Sequence, residues 1–144
     1  MPAAPIPDSL SAAFEGAHYV VLAPEATFTL RIGEPSAQLV QLMRDHAQDS
    51  ATILTAFNPG AKPASAEANR KAQQSLRRDA QALGLPCIDG KNIAANRDGP
   101  SEPTVVVLGL NRCRAAFLAR KFRQLAFVYA EASGVPELVW LCDL

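Results

Sequence analysis

Residues 50–73 read SATILTAFNPGAKPASAEANRKAQ, and this stretch decides the fold because an unbroken apolar strand passes through a polar turn straight into a helix. Ala51 to Phe57 is almost wholly apolar, as strands covered on both faces are. Asn58, Pro59 and Gly60 cannot extend that strand, and Ser65 is placed to cap a helix whose inner face carries Asn69 and Gln73. Strand, turn and helix in this order frame ligand sites.

On a helical wheel of about 100° per residue, Ala68, Ala72, Leu76 and Leu83 share a face, with Asn69 and Gln73 on or beside it. The two amides have two readings. They are satisfied structural groups tied to the loop after Asn58, as buried amides usually are, or they face a ligand. For Asn69 the second is the expectation.

Working outward, residues 1–7 hold three prolines and read as a frayed leader before a short helix from Ser9 to Glu15, capped by Asp8 or Ser9. His18 to Ala23 and Thr27 to Ile32 are β-rich runs around Pro24, an N-terminal hairpin with Phe28, Leu30 and Ile32 on one face. Ser36 caps a helix in which Leu39, Leu42 and Met43 recur at helical spacing. The helix from Ser65 to Leu83 stops at Gly84, with Pro86 just beyond.

Cys87 to Lys91 predicts a minor strand, and residues 92–103 a long surface loop of the kind that is functional or mobile. Thr104 to Leu110 is the strongest strand, and Asn111 caps a helix running to about Leu125. Ala126 to Ala130 and Glu137 to Leu141, joined through Ser133 to Pro136, form a C-terminal strand pair. The expected architecture is a single domain over residues 1–144, α+β rather than α/β, with one mixed β-sheet and about three helices packed on it.

Fourteen basic and fourteen acidic residues balance, so nothing draws the whole chain to nucleic acid or an anionic membrane. Cys87, Cys113 and Cys142 are widely spaced, with only His18 and His46 beside them. No metal site is expected from such a set, and the two histidines read as solvent-facing or capping groups. A signal-like start and any run of about 18 apolar residues are missing. The chain therefore reads as cytoplasmic, with its three thiols free.

The TAFNP turn at Thr55 to Pro59, the Ser65, Glu67 and Asn69 positions of the next helix, the Glu102-Pro103 pair and LARKFRQLAFVYA from Leu118 to Ala130 together resemble a small uncharacterised bacterial family, a domain of unknown function. The likeness spans roughly Tyr19 to Val139. It implies no activity, cofactor or partner. An Arg-Phe-Gly-Gln-like stretch is expected in relatives, where this chain has Lys121-Phe-Arg-Gln124, so Arg123 occupies a position that a small residue would hold.

Two strand-to-helix turns are the chemical candidates, Phe57 to Ser65 and Leu108 to Arg112. If their strands are parallel neighbours, both turns meet at one sheet edge and two helix N-termini, each with about half a positive charge, point into one cleft. Asn58, Ser65, Asn69, Gln73 and Asn111 would then orient an anionic small molecule or nucleotide, and Arg112 and Arg114 would bond it with charge assistance.

No nucleophile elbow, phosphate loop, dinucleotide fingerprint or zinc-protease motif occurs, so no cofactor is implied and enzymatic activity is left open. Glu67 and Glu102, the acids flanking the proposed cleft, are the candidates for a general base. An alternative is a protein-interaction module. In it Phe117 stands on the outer side of a helix carrying Arg112, Arg114, Arg120, Lys121 and Arg123, a charge run whose plainer reading is a solvated face.

Overall fold

In the computed structural model, which describes residues 6–96 and 101–141, the chain forms four helices and seven strands. They run α1 (Asp8–Gly16), β1 (His18–Leu22), β2 (Thr27–Leu30), α2 (Ala37–Asp45), β3 (Ser50–Leu54), α3 (Ala66–Ala82), β4 (Cys87–Ile93), β5 (Glu102–Leu108), α4 (Arg112–Lys121), β6 (Ala126–Glu131) and β7 (Glu137–Trp140), with a 3-10 turn at Pro59–Ala61. The α+β class holds, with four helices rather than three. Residues 1–5 of the expected leader lie outside the described residues. Pro7, not Asp8 or Ser9, precedes α1, and no side chain caps it.

The strands make one curled sheet in the order β2-β1-β4-β5-β3-β6-β7. Every pairing is antiparallel, so the expected mixed sheet is corrected. The cause is β4. Its sequence, CIDGKNI, is poor in β-formers, yet it is a full central strand that pairs with β1 on one side and β5 on the other. The α3 crossover returns the chain in the direction of β3, and the β4–β5 hairpin then reverses it, so β5 lies antiparallel beside β3. The predicted loop shortens to residues 94–101, of which 97–100 lie outside the described residues.

Gly90 lets β4 sit at the centre. A Cβ there would stand 2.5 Å from Thr104 Oγ1 and 2.7 Å from the Val20 carbonyl oxygen, closer than atoms can approach, so only glycine keeps both neighbouring strands at pairing distance.

Alternation along the strands divides the core between the two faces of the sheet. Leu39, Leu42 and Met43 of α2 pack with Val21, Leu30, Ile53, Val106 and Val128. On the other face Leu76 and Ala80 of α3 and Ala115, Leu118 and Ala119 of α4 pack with Leu54, Val105, Val107 and Phe127. All five residues of β3 are buried, as its composition predicts. Among the described residues, no helix is long and apolar enough to cross a membrane.

Helix α4 ends four residues before the expected Leu125. Arg123 has φ 57°, its N–H bonds the Arg120 carbonyl at 3.0 Å, and the Gln124 N–H reaches back to the Ala119 carbonyl at 2.9 Å. This is the Schellman stop, which favours glycine at the left-handed position and gives a physical reason for the small residue expected of relatives. Because the Arg123 side chain is exposed, Arg123→Gly is expected to stabilise the fold by about 0.5–1 kcal/mol, the relief of left-handed strain less the entropy glycine adds to the unfolded chain. Urea unfolding measures it, and a destabilised variant would show that the arginine side chain contributes more than its backbone strain costs.

Candidate functional site

The antiparallel sheet separates the two turns. Leu54, at the end of β3, pairs with Val105 near the start of β5, whereas Leu108 at the end of β5 pairs with Ala51 at the start of β3. The Thr55 to Gly60 turn and the Gly109 to Arg112 turn therefore lie at opposite ends of the sheet, and the cleft expected between them does not form. At the far end Asn111 caps α4 through Arg114 N–H. Arg112 pairs with Glu137 and Glu131 and lies over the Tyr129 ring, and Arg114 is exposed.

The Asn58 end holds a cleft of its own. There β3, β4 and β7 finish and β1, β5 and β6 begin, and α1 together with the 57–66 turn walls a cavity of about 750 Å³. Phe14, Ile53, Phe57 and Leu138 supply apolar wall; Tyr19, Thr55, Asn58, Asn69, Asn92 and Glu102 supply polar groups. Glu102 is the one charged side chain among the described lining residues. Helix α1 is fixed there by the Tyr19 hydroxyl, which donates to the Phe14 carbonyl at 2.6 Å, and by stacking of Phe14 on Trp140 with centroids 5.2 Å apart.

The polar side of the cleft is built from the turn. Asn58 sits at φ 46°, a left-handed conformation that asparagine tolerates better than most residues. Its backbone N–H donates to Asn69 Oδ1 at 2.9 Å, and its own Oδ1 accepts from Asn69 Nδ2 at 2.9 Å and from the Ala64 N–H at 3.1 Å. With Oδ1 so occupied, the amide must present Nδ2 to β5, where it donates to Glu102 Oε1 at 3.0 Å. Gln73 Oε1 accepts the Ala56 N–H at 2.8 Å. Behind the turn, Gln124 Nε2 donates to the Phe57 carbonyl and Gly60 N–H to the Arg123 carbonyl.

Of the residues singled out from sequence, Asn58, Asn69 and Glu102 come together at this cleft. Asn69 lines it, but both ends of its amide hold the turn. Gln73 stands behind it, Ser65 caps α3 through Ala68 N–H, and Glu67 is an exposed partner of Lys71 at 3.4 Å. Tyr19 and Asn92 were not singled out, since only the strand register brings them beside Glu102. Cys87 and Cys113 are free thiols, and Cys142 lies outside the described residues.

Burial pushes the Glu102 carboxyl up from the usual glutamate range, and the bond from Asn58 pulls it part of the way back. Burial first, and the Glu102 charge second, push the Tyr19 phenol up as well. A carboxyl raised in the fold adds stability that is complete below the unfolded value near 4.3 and is lost as pH rises through the folded value.

Glu102→Gln, neutral throughout and able to accept from Asn58, is therefore expected to be more stable than the wild type at neutral pH and equal to it below about pH 4. Urea melts at the two pH values check this, and a less stable variant at neutral pH would reverse the sign. Asn69→Ala is expected to lose about 1–3 kcal/mol, because the Asn58 N–H and amide are left unpaired. Equilibrium unfolding tests it, and a change under about 0.5 kcal/mol would mean that the turn holds without this amide.

A sequence model of the family described as Protein of unknown function (DUF3293) matches residues 54–127, from the last residue of β3 into β6, a span holding the Asn58 turn, α3, Glu102 and α4. No curated protein and no solved structure matches the chain.

Proposed function

Because the chain belongs to this family, whose description assigns no activity, we propose a function from the cleft itself: a small-molecule-binding domain that takes a largely apolar ligand carrying hydrogen-bond donors into the Asn58 end of the sheet. The observation that carries the reading is Glu102, a half-buried carboxylate held in one orientation by Asn58 inside an otherwise apolar and amide-lined cavity. A volume of about 750 Å³ is within the range of small-molecule sites.

An anionic ligand is not favoured at this place. No lysine, arginine or histidine is among the described lining residues, so a phosphate or carboxylate would meet only the like charge of Glu102. The network around Asn58 supports binding for a further reason: a turn already tied to α3, β5 and the end of α4 is preorganised, and little ordering cost attends ligand entry.

Thermal unfolding with a panel of neutral, cationic and anionic small molecules tests the reading. Neutral and cationic compounds with apolar bodies are expected to raise the Tm in proportion to occupancy, and anions are expected to leave it unchanged. Ala66→Trp places a large ring at the rim from an exposed position of α3 and is expected to abolish the shift. Stabilisation by anions alone, or shifts that survive Ala66→Trp, would overturn the assignment of the cleft.

A second reading, a protein-contact surface, is favoured by Phe117, whose ring on the outer side of α4 is 67% exposed. That surface lies apart from the cleft residues. Phe117→Ser would impair association with a protein partner while leaving ligand-induced shifts intact.

A further inference from the structure

Strand register lines up three of the polar side chains of the cleft. Tyr19 of β1 stands opposite Asn92 of β4, and Asn92 stands opposite Glu102 of β5. Directly paired residues on antiparallel strands project to the same side with Cβ atoms about 5 Å apart. The three therefore form one row across three strands, and all three line the cavity.

The one charge in the row is the Glu102 carboxylate, and two of the row's acceptor oxygens have no donor among the described residues. The Tyr19 hydroxyl is committed to the Phe14 carbonyl. Glu102 Oε1 accepts from Asn58, while its other oxygen has no hydrogen-bond partner among the described residues. Asn92 Oδ1 is a buried acceptor with no donor among the described residues, a costly state for a buried polar atom. The terminal torsion of asparagine is broad, so a small rotation turns this oxygen toward a group seated against Glu102.

Few ligand groups fit such a site. A carboxylate or phosphate brings more acceptors and the wrong charge. An alcohol brings one donor and no charge. An ammonium brings three donors and the opposite charge, enough for both free acceptors, in a cavity whose described lining has no competing cation.

We propose that the Tyr19, Asn92 and Glu102 row binds the ammonium head of a small organic primary amine whose apolar body lies against Phe57, Ile53 and Leu138. The assignment rests on the cleft being a ligand site. Glu102 is the charged anchor, Asn92 the second acceptor, and Asn58 a positioning residue that fixes the carboxylate.

The sequence contains a single tryptophan, Trp140, stacked on the cleft-lining Phe14, so intrinsic fluorescence of the full chain reports occupancy. Three probes of matched body, 2-phenylethylamine, 2-phenylethanol and 3-phenylpropionate, separate charge and donor number from shape. The amine is expected to bind about tenfold more tightly than the alcohol, the scale of a charge-assisted hydrogen bond in a partly buried site, and the carboxylate is expected not to bind.

Glu102→Gln should bring the amine down to about the affinity of the alcohol, and a cooperative urea transition shows that the variant is folded. Asn92→Ala should weaken the amine several-fold more than it weakens the alcohol. Equal binding of amine and alcohol by the wild type, or amine binding indifferent to Glu102→Gln, overturns the ammonium assignment and leaves the cleft standing as a ligand site. Failure of all three probes to bind removes the ligand site and this assignment together.

Discussion

The Asn58 side-chain amide is the interaction on which the Asn58 end of this molecule depends. Its oxygen accepts from α3 through Asn69 and from the turn through Ala64, and its nitrogen donates to β5 through Glu102. One side chain thus joins the turn, the crossover helix and the first residue of β5. The three contacts are coupled by chemistry, since an amide that accepts on one side can only donate on the other. A carboxylate at position 58 could hold Asn69 and Ala64 but would repel Glu102.

The reversal introduced by β4 governs the rest. With β3 and β5 antiparallel, the two strand-to-helix turns are pushed to opposite ends, and each end acquires its own electrostatics. At the α4 N-terminus the exposed guanidinium of Arg112 is paired with Glu131 and Glu137 and lies over the face of Tyr129, a cluster in which the charges are matched. At the other end Glu102 has no described cationic partner and is raised by burial. Unmatched charge in a cleft is where binding or proton chemistry concentrates, so the Asn58 end is the chemically open one.

The packing on the two faces explains how so many strand ends can gather there. Helices α3 and α4 cover one face and α2 the other, and α1, which has no buried residue of its own, leans across the strand ends through Phe14 and Trp140. The sheet is closed by helices along its length and left open at one end. That opening has an apolar wall because alternation brings Ile53, Val128 and Leu138 to its edge, and a polar one because the turn needs amides to satisfy its backbone.

Local chemistry was legible in the sequence wherever it acted within a few residues. The caps at Ser36, Ser65 and Asn111, the buried strand expected over Ala51 to Phe57, which spans Ser50–Leu54, and the stop of α3 before Gly84 follow from side chains reading their own neighbourhood. Strand order, strand direction and the site's real membership did not follow. They rest on pairings between residues far apart in the chain, such as Glu102 with Asn92 and Asn92 with Tyr19. They also rest on one weakly β-forming strand that only its two neighbours, and the absence of a side chain at Gly90, hold in place. Propensity is local and pairing is not, and so the sequence by itself determined most of the elements and the caps of α2, α3 and α4, while tertiary structure alone decided which polar groups share the cleft.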